Sequence, residues 1–392
     1  MSEWLPYERG AVLTGTGADF AKLRAAWGIL GRRSRDGGVF DFTGLVRSLR
    51  VGAEDVLDDE LSPALYGERL TELALDHLGG SAGRDDVFVA NRTTAALVAA
   101  MQVLVSPGSR VVGVSPSYTH PAGVRAVRRA GGELEDGGDP AGADLVLLTR
   151  LAVTYELLPE DELTRDFGAP VFLDDAGGAR VGPVVFGQPR ALELAVEAAV
   201  TALDKYGTTG PRLGLLAGRA ELVAEIRARA IELGLEARPM LYPAVVRSLE
   251  QYRPERVREL VAATAAVGEA LEARLGGWVT RTPVAVRLEG ERILAEALRR
   301  AGLGEAALVP IEATAALAMV LLRDHGVLTV HFAAVPPGTA ALLLKFVPPE
   351  TLDRFGGAEA LARAVDESLD EVARLVGDPD ALRELLLRSA PR

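Results

Sequence analysis

From Tyr66 onward, short apolar runs alternate with stretches of helical period, and this alternation limits the possible folds more than any other feature of the chain. The run Asp86-Val-Phe-Val-Ala, the polar Asn91-Arg92 and the apolar stretch Thr93 to Met101 read in turn as strand, turn and helix. Repeated, this pattern predicts an α/β fold with a parallel sheet and helical crossovers. A chain of 392 residues, 48% of them hydrophobic, can bury a large core and support a second, smaller domain.

Arginine supplies almost every cation, and the only lysines are Lys22, Lys205 and Lys345. Lys22, in an amphipathic pattern from Ala18 to Leu30, and Lys345, near the end of an apolar run, suit solvated or snorkelling heads. Lys205 differs because it stands in Thr201-Ala-Leu-Asp-Lys-Tyr-Gly-Thr-Thr-Gly-Pro-Arg-Leu-Gly214, between two apolar runs. Arginine stays protonated at biological pH, whereas a desolvated lysine amine can lose its proton and condense with an aldehyde. Pyridoxal 5'-phosphate is the expected aldehyde.

That cofactor needs a carboxylate against its ring nitrogen to make the ring an electron sink. The short strand Val171 to Leu173 opens into Asp174 and Asp175, which places a carboxylate at the carboxyl edge of the sheet, where open α/β sheets bind ligands. Asp174 is the expected partner of the ring nitrogen, Asp175 turns away to pair locally, and Ala176 lies against one ring face. At the start of the helix after Asn91-Arg92, free backbone N–H groups and the hydroxyls of Thr93 and Thr94 suit a phosphate. Neither G-x-x-x-x-G-K-[ST] nor a post-strand G-x-G-x-x-G occurs to compete for that role. In the next strand-end loop, Ser115-Pro-Ser-Tyr-Thr-His120, His120 is the first choice to cover the other ring face and Tyr118 the second. Arg150, Arg180 and Arg212 each flank a sheet edge and are candidates for a substrate carboxylate.

These segments, taken in order with Gly210-Pro-Arg-Leu-Gly-Leu-Leu-Ala-Gly218, resemble fold-type I pyridoxal phosphate enzymes. More narrowly they resemble an archaeal pyridoxal-dependent family related to bacterial selenocysteine synthase, L-seryl-tRNA(Sec) selenium transferase. Asp41-Phe-Thr-Gly-Leu45 resembles the N-terminal motif of that archaeal group. The resemblance runs from about residue 40 to the C-terminus and is densest over residues 86–218. It implies an aspartate aminotransferase-like fold, with a mostly parallel seven-stranded sheet in the large domain and a smaller C-terminal α+β domain. It also implies Lys205 as covalent anchor, Asp174 as ring-nitrogen partner, Thr93-Thr94-Ala95 as phosphate cup and a homodimer with a shared site. In related dimers a partner tyrosine reaches the cofactor phosphate, and Tyr66 is the residue in question here.

The expected organisation is an N-terminal arm over residues 1–60, a large cofactor domain over 61–240, and a linker helix with a small domain over 241–392. The absence of cysteine excludes disulfides and thiolate chemistry, and His77, His120, His325 and His331 have no metal-ligand spacing, so no metal is expected. No apolar window is long enough for a membrane span, and the N-terminus, with Glu3 and Glu8, does not read as a secretory signal, which points to a cytoplasmic protein.

The expected function is chemistry on an amino acid or related amine through a Lys205 imine and a stabilised α-carbanion, as lyase, β-replacement enzyme or aminotransferase. One alternative is a selenocysteine-synthase-like transferase acting on aminoacyl-tRNA; a formal charge of −12 speaks against this tRNA partner. A second alternative is a non-catalytic cofactor-binding protein.

Overall fold

The computed structural model describes residues 9–306, 308–334 and 338–388. Residues 1–8 of the expected arm, Glu3 and Glu8 among them, lie outside the described residues. The chain forms two compact units, residues 46–258 and residues 9–45 with 259–388.

The second unit begins with α1 (Thr16–Arg35) and β1 (Phe40–Asp41). These residues are not an arm. Leu23, Ala25 and Ala26 of α1 are buried in the core of this unit, and β1 pairs in parallel with a strand almost three hundred residues later. The Asp41-Phe-Thr-Gly-Leu45 motif is a turn in which Asp41 Oδ1 accepts from Thr43 N at 2.9 Å and from Thr43 Oγ1 at 2.6 Å. Gly44 has φ +64°, and a Cβ there would meet the Lys345 carbonyl oxygen, so only glycine fits.

The first unit contains α2 (Leu61–Leu78), β2 (Asp85–Ala90), α3 (Thr93–Leu104), β3 (Arg110–Val114), α4 (Pro121–Arg129), β4 (Glu133–Asp136) and β5 (Leu145–Thr149). It continues with α5 (Glu160–Leu163), β6 (Val171–Asp174), α6 (Gly178–Phe186), β7 (Ala198–Ala202), β8 (Gly214–Arg219), α7 (Ala220–Glu232) and α8 (Tyr242–Glu250). Its seven strands form one sheet in the order β2-β8-β7-β6-β5-β3-β4, in which only β8 runs against its neighbours. Alternate strand residues divide between two cores. Val87, Leu148, Leu173 and Ala217 pack on one face, and Phe88, Leu147, Phe172 and Leu216 on the other. Burial on both faces explains why these strands read as unbroken apolar runs rather than as alternating ones.

The helix α9 (Pro254–Leu275) carries the chain into the remainder of the second unit. There follow β9 (Thr280–Thr282), β10 (Ala285–Glu289), α10 (Gly290–Ala301), α11 (Pro310–His325), β11 (Val327–Leu328), β12 (Ala341–Lys345), α12 (Pro349–Phe355), α13 (Ala358–Leu375) and α14 (Pro379–Leu387). β12, β10 and β9 form an antiparallel sheet, so the α+β character expected for this part is present. The boundary between units falls at residues 258/259 rather than 240/241, because α8 packs on α2 and its Val245, Val246 and Leu249 join the core of the first unit.

Lys22 and Lys345 are not surface lysines: they are 1% and 2% exposed. Lys22 Nζ lies 2.8 Å from His331 Nε2, and His331 Nδ1 lies 3.2 Å from the Thr339 carbonyl oxygen. A protonated Lys22 donates to Nε2, which leaves the ring proton on Nδ1 to donate to Thr339.

Candidate active site

Parallel β3, β5, β6 and β7 all end at one edge, and β8 starts there because it runs the other way. Asp174, Ala176, Lys205 and His120 all follow the ends of strands at this edge. Asp174 closes β6 in register with Thr149 of β5 and Val200 of β7, and its carboxylate is buried at 5% exposure. Its Oδ1 accepts from Ala176 N at 3.2 Å, which turns the chain so that Ala176 follows directly on the carboxylate.

Lys205 comes three residues after β7. Its side chain is half-buried and makes no hydrogen bond or ion pair among the described residues. Burial lowers its pKa; Asp204 and Asp174 act against that shift, and Arg212 and Arg180 add to it. An amine so placed gives up its proton more readily than a surface lysine.

At the start of α3, Arg92 occupies the cap position with an extended backbone and no side-chain cap. The amides of Ala95 and Ala96 both donate to Arg92 O, at 2.9 and 3.1 Å. Ala95 N–H is therefore committed to the helix and is not free for a ligand, unlike the expectation for the cup. The amides and hydroxyls of Thr93 and Thr94 have no partner among the described residues, which leaves two N–H and two O–H donors at a helix N-terminus. Gly214 opens β8 directly beside them. A Cβ there would lie 2.7 Å from Thr93 N and 2.9 Å from Arg92 O, so any larger residue would displace the turn.

His120 caps α4, and its Nδ1 accepts from Ala122 N at 3.1 Å, so in the neutral ring Nε2 carries the proton. Thr119 fixes the approach to it by donating from N at 2.9 Å and from Oγ1 at 2.6 Å to Asp136 Oδ1. His120 is exposed as a residue. Desolvation lowers its pKa, Asp174 opposes, and Lys205 and Arg125 add to the lowering. His120 thus belongs to the same electrostatic neighbourhood as Asp174 and Lys205. Tyr118, the second choice, is 44% exposed.

Two of the arginines expected as carboxylate ligands are enclosed instead. Arg150 is fully buried; its Nη1 donates to Pro189 O at 2.7 Å, and its Nη2 lies 3.2 Å from Asp175 Oδ2. Gly178 and Gly182 of α6 make room for it, since a Cβ on either would come within 3.0 Å of the Arg150 side chain. Arg180, 1% exposed, donates from Nη1 to Ala202 O at 2.8 Å and so braces the end of β7 just before Lys205. Arg212 is different: it is one-third exposed, and its Nε lies 3.2 Å from Asp204 Oδ2. Tyr66 is half-buried on α2, with its hydroxyl accepting from Val56 N at 3.2 Å.

The sequence reading missed Asp204, Tyr206 and Tyr155. Tyr155, in the loop after β5, and Tyr206, next to Lys205, both have positive φ, at 63° and 49°, and their side chains are hydrogen-bonded to each other. Gly177 admits the Tyr206 ring, which would lie 3.1 Å from a Cβ there. Thr154 Oγ1, 3.0 Å from Ser117 Oγ, ties the β5 loop to the β3 loop. No short-range pattern announces tyrosines at these positions. Among the described residues no group of His, Asp or Glu could hold a metal ion.

The sheet with its one reversed strand, and the second unit's antiparallel sheet, make up the fold-type I, aminotransferase-like architecture. Among solved structures, alanine–glyoxylate aminotransferase from Nostoc sp. superposes with a TM-score of 0.53 at 14% identity, covering 86% of this chain and 95% of its own. Aspartate aminotransferase from Thermotoga maritima gives 0.52 at 14%, covering 89% and 88%. A complex of SepCysS with the SepCysE N-terminal domain gives 0.59 at 13%, covering 86% and 95%. Such identities speak for the fold alone.

No family model matches the chain. A UPF0425 pyridoxal phosphate-dependent protein of Methanothermobacter thermautotrophicus is 32% identical over 373 residues, which cover 91% of this chain and 93% of that protein. A protein so described in Methanopyrus kandleri is 34% identical over 229 residues, 56% of this chain and 65% of its own length. The chain belongs to the UPF0425 pyridoxal phosphate-dependent protein family. A buried strand-end carboxylate, an unpaired amine and a glycine-lined helix N-terminus are the donor set that this cofactor requires.

Proposed function

We propose that the protein is a pyridoxal phosphate-dependent enzyme acting on an amino acid or related amine, as lyase, β-replacement enzyme or aminotransferase. The observation that carries this reading is the unpaired Lys205 amine with its lowered pKa, following β7 at the sheet edge where Asp174 closes β6 and where the amides of Thr93 and Thr94 open α3. When bound, pyridoxal phosphate supplies an aldehyde for the lysine amine and a ring that takes up the electron pair left at the substrate α-carbon.

The chain's own residues do the rest. Thr93 and Thr94 would donate N–H and O–H to the phosphate, with the positive end of α3 behind them. Asp174 would hold a proton at the ring nitrogen, and Ala176 and His120 would be the residues beside the ring. Lys205, as the free amine, would be the group to remove and return the proton at the substrate α-carbon.

A second copy of the chain completes the reading. Leu49, Val51, Leu57, Leu61 and Leu65 are all more than 40% exposed within one short stretch of the first unit, and such a patch suits a homodimer contact. A selenocysteine-synthase-like transfer on aminoacyl-tRNA remains the alternative, against which the charge of −12 counts. No helix among the described residues is long and apolar enough to cross a membrane.

The test is the absorption spectrum with added pyridoxal phosphate for wild type and Lys205→Ala, followed by borohydride reduction and peptide mapping. The expected result is a band near the visible edge, absent from the variant and fixed by reduction onto Lys205. A wild type without such a band would sink the reading.

A further inference from the structure

Two tyrosines in the loops at this sheet edge stand in a backbone conformation that side chains rarely adopt. Tyr155 has φ 63° and Tyr206 φ 49°, and Phe346 is the only other non-glycine residue with positive φ among the described residues. That conformation costs stability for any residue with a Cβ, and a glycine, such as the one that follows at 207, would escape the cost. Strain of this kind persists only where the surroundings hold it in place. The Tyr206 side chain has such surroundings: the residue is 3% exposed, and a Cβ on Gly177 would meet its Cε2 at 3.1 Å and Leu151 Cδ2 at 3.2 Å. The ring and the leucine therefore both sit against the Gly177 backbone, one residue past Ala176.

Tyr155 is placed by a hairpin after β5. Leu151 and Leu157 form its antiparallel bridge, Tyr155 N donates to Ala152 O at 3.0 Å, and Ala152 N donates to Glu156 O at 3.0 Å. Thr154 Oγ1, at the same tip, lies 2.7 Å from Glu156 Oε2 and 3.0 Å from Ser117 Oγ. The hydrogen bond between Tyr155 and Tyr206 joins this hairpin to the turn that carries Lys205. Other bonds fix the backbone around the lysine. The Thr208 hydroxyl lies 2.7 Å from Leu203 O and 2.9 Å from Lys205 O, and Ala202 N donates to Ala176 O at 3.3 Å.

We propose that Tyr206, seated on Gly177 beside Leu151 and bonded to Tyr155, is a positioning residue for Lys205: it fixes the turn from which the amine projects and shields that turn from water. A glycine would fit the backbone but would leave the space of the ring to solvent, and the hydroxyl pair sets the turn against the β5 hairpin. The inference rests on the reading of Lys205 as the amine that takes the cofactor. The charged and titratable groups that act on Lys205 or respond to it are Asp204, Asp174, Arg212, Arg180 and His120, and substitution at 155 or 206 leaves all of them in the chain.

The experiment compares full-length wild type with Tyr206→Gly, Tyr206→Phe, Tyr155→Phe and the double phenylalanine variant. Labelling with acetic anhydride over a range of pH, without cofactor, gives the titration midpoint of Lys205 from its peptide. Borohydride fixation after mixing with pyridoxal phosphate gives the rate at which Lys205 captures the aldehyde. Tyr206→Gly is expected to raise the midpoint by about one pH unit, as water reaches the amine, and to slow capture by about tenfold. Each phenylalanine variant is expected to raise the midpoint by about half a unit, the worth of about one hydrogen bond, and the double variant no further than either. A merely structural ring would lower the melting temperature and leave midpoint and capture rate alone, and either readout at its wild-type value in Tyr206→Gly overturns the proposal. If Tyr206→Gly does not fold, the phenylalanine variants decide: unchanged midpoints, or shifts that add in the double variant, overturn it. A wild type whose Lys205 captures no pyridoxal phosphate sinks the underlying reading, and the midpoints without cofactor tell that failure apart from this one.

Discussion

Asp175 and Arg150 form an ion pair with no solvent exposure on either side chain, one residue behind the carboxylate that closes β6. Burial raises the Asp175 pKa to about 6, Arg150 and Arg180 work against that rise, and the neighbouring charge of Asp174 adds to it. The pair stiffens the strand end from which Asp174 projects. Arg150→Met would leave a buried carboxylate without its counter-ion and is expected to cost about 3–5 kcal/mol in urea unfolding.

The same pair has a pH signature. A carboxyl whose folded-state pKa is raised contributes stability that is complete below its unfolded value of 3.8 and is lost as pH rises through about 6. The stability of wild type relative to Asp175→Asn should therefore decline from about pH 4 to about pH 7. Denaturant midpoints across that range check it, and a flat difference would refute it.

Lys22 titrates in the opposite sense. Burial lowers its pKa from 10.5 to about 8, Asp19 opposing and Arg9 assisting. The unfolded chain then holds the extra proton between those values, so folding stability rises with pH across that window. Measured against Lys22→Met, the wild type should gain up to about 3 kcal/mol between pH 8 and 10.5.

Gly214→Ala pushes a methyl group against the first amide of α3, 2.7 Å away. Cofactor affinity is expected to fall by about tenfold or more, corresponding to about 1.4 kcal/mol. Fluorescence titration with pyridoxal phosphate measures it, and an unchanged affinity would take the phosphate away from this turn.

Leu61→Glu and Leu65→Glu place charges on the exposed leucine face of α2, where both residues are more than half exposed. Light scattering is expected to show monomers for the double variant and dimers for wild type. A monomeric wild type would remove the patch from the oligomer question.

The sequence carried much of this site because its signals are local. A carboxylate that ends an apolar strand, threonines that open a helix and a lysine between two strands are each written within a few residues. The enclosure of Arg150 and Arg180 is not. It depends on glycines of α6 and on carbonyls of Pro189 and Ala202, which only the fold brings alongside. Lys22 misled for the same reason. Its helical period matches a surface position, and the histidine that covers it arrives more than three hundred residues later. The opening segment likewise reads as an arm until β1 finds β11.

The reversed direction of β8 turns the loop from Leu203 to Leu213 into a measuring device. It holds Lys205 at one end and Gly214, beside the α3 amides, at the other, so its length sets the reach between the amine and the turn proposed above as anchor and phosphate cup. One residue added or removed there would alter that span or slip β8 against β2 and β7, sending every second side chain to the wrong face of the sheet.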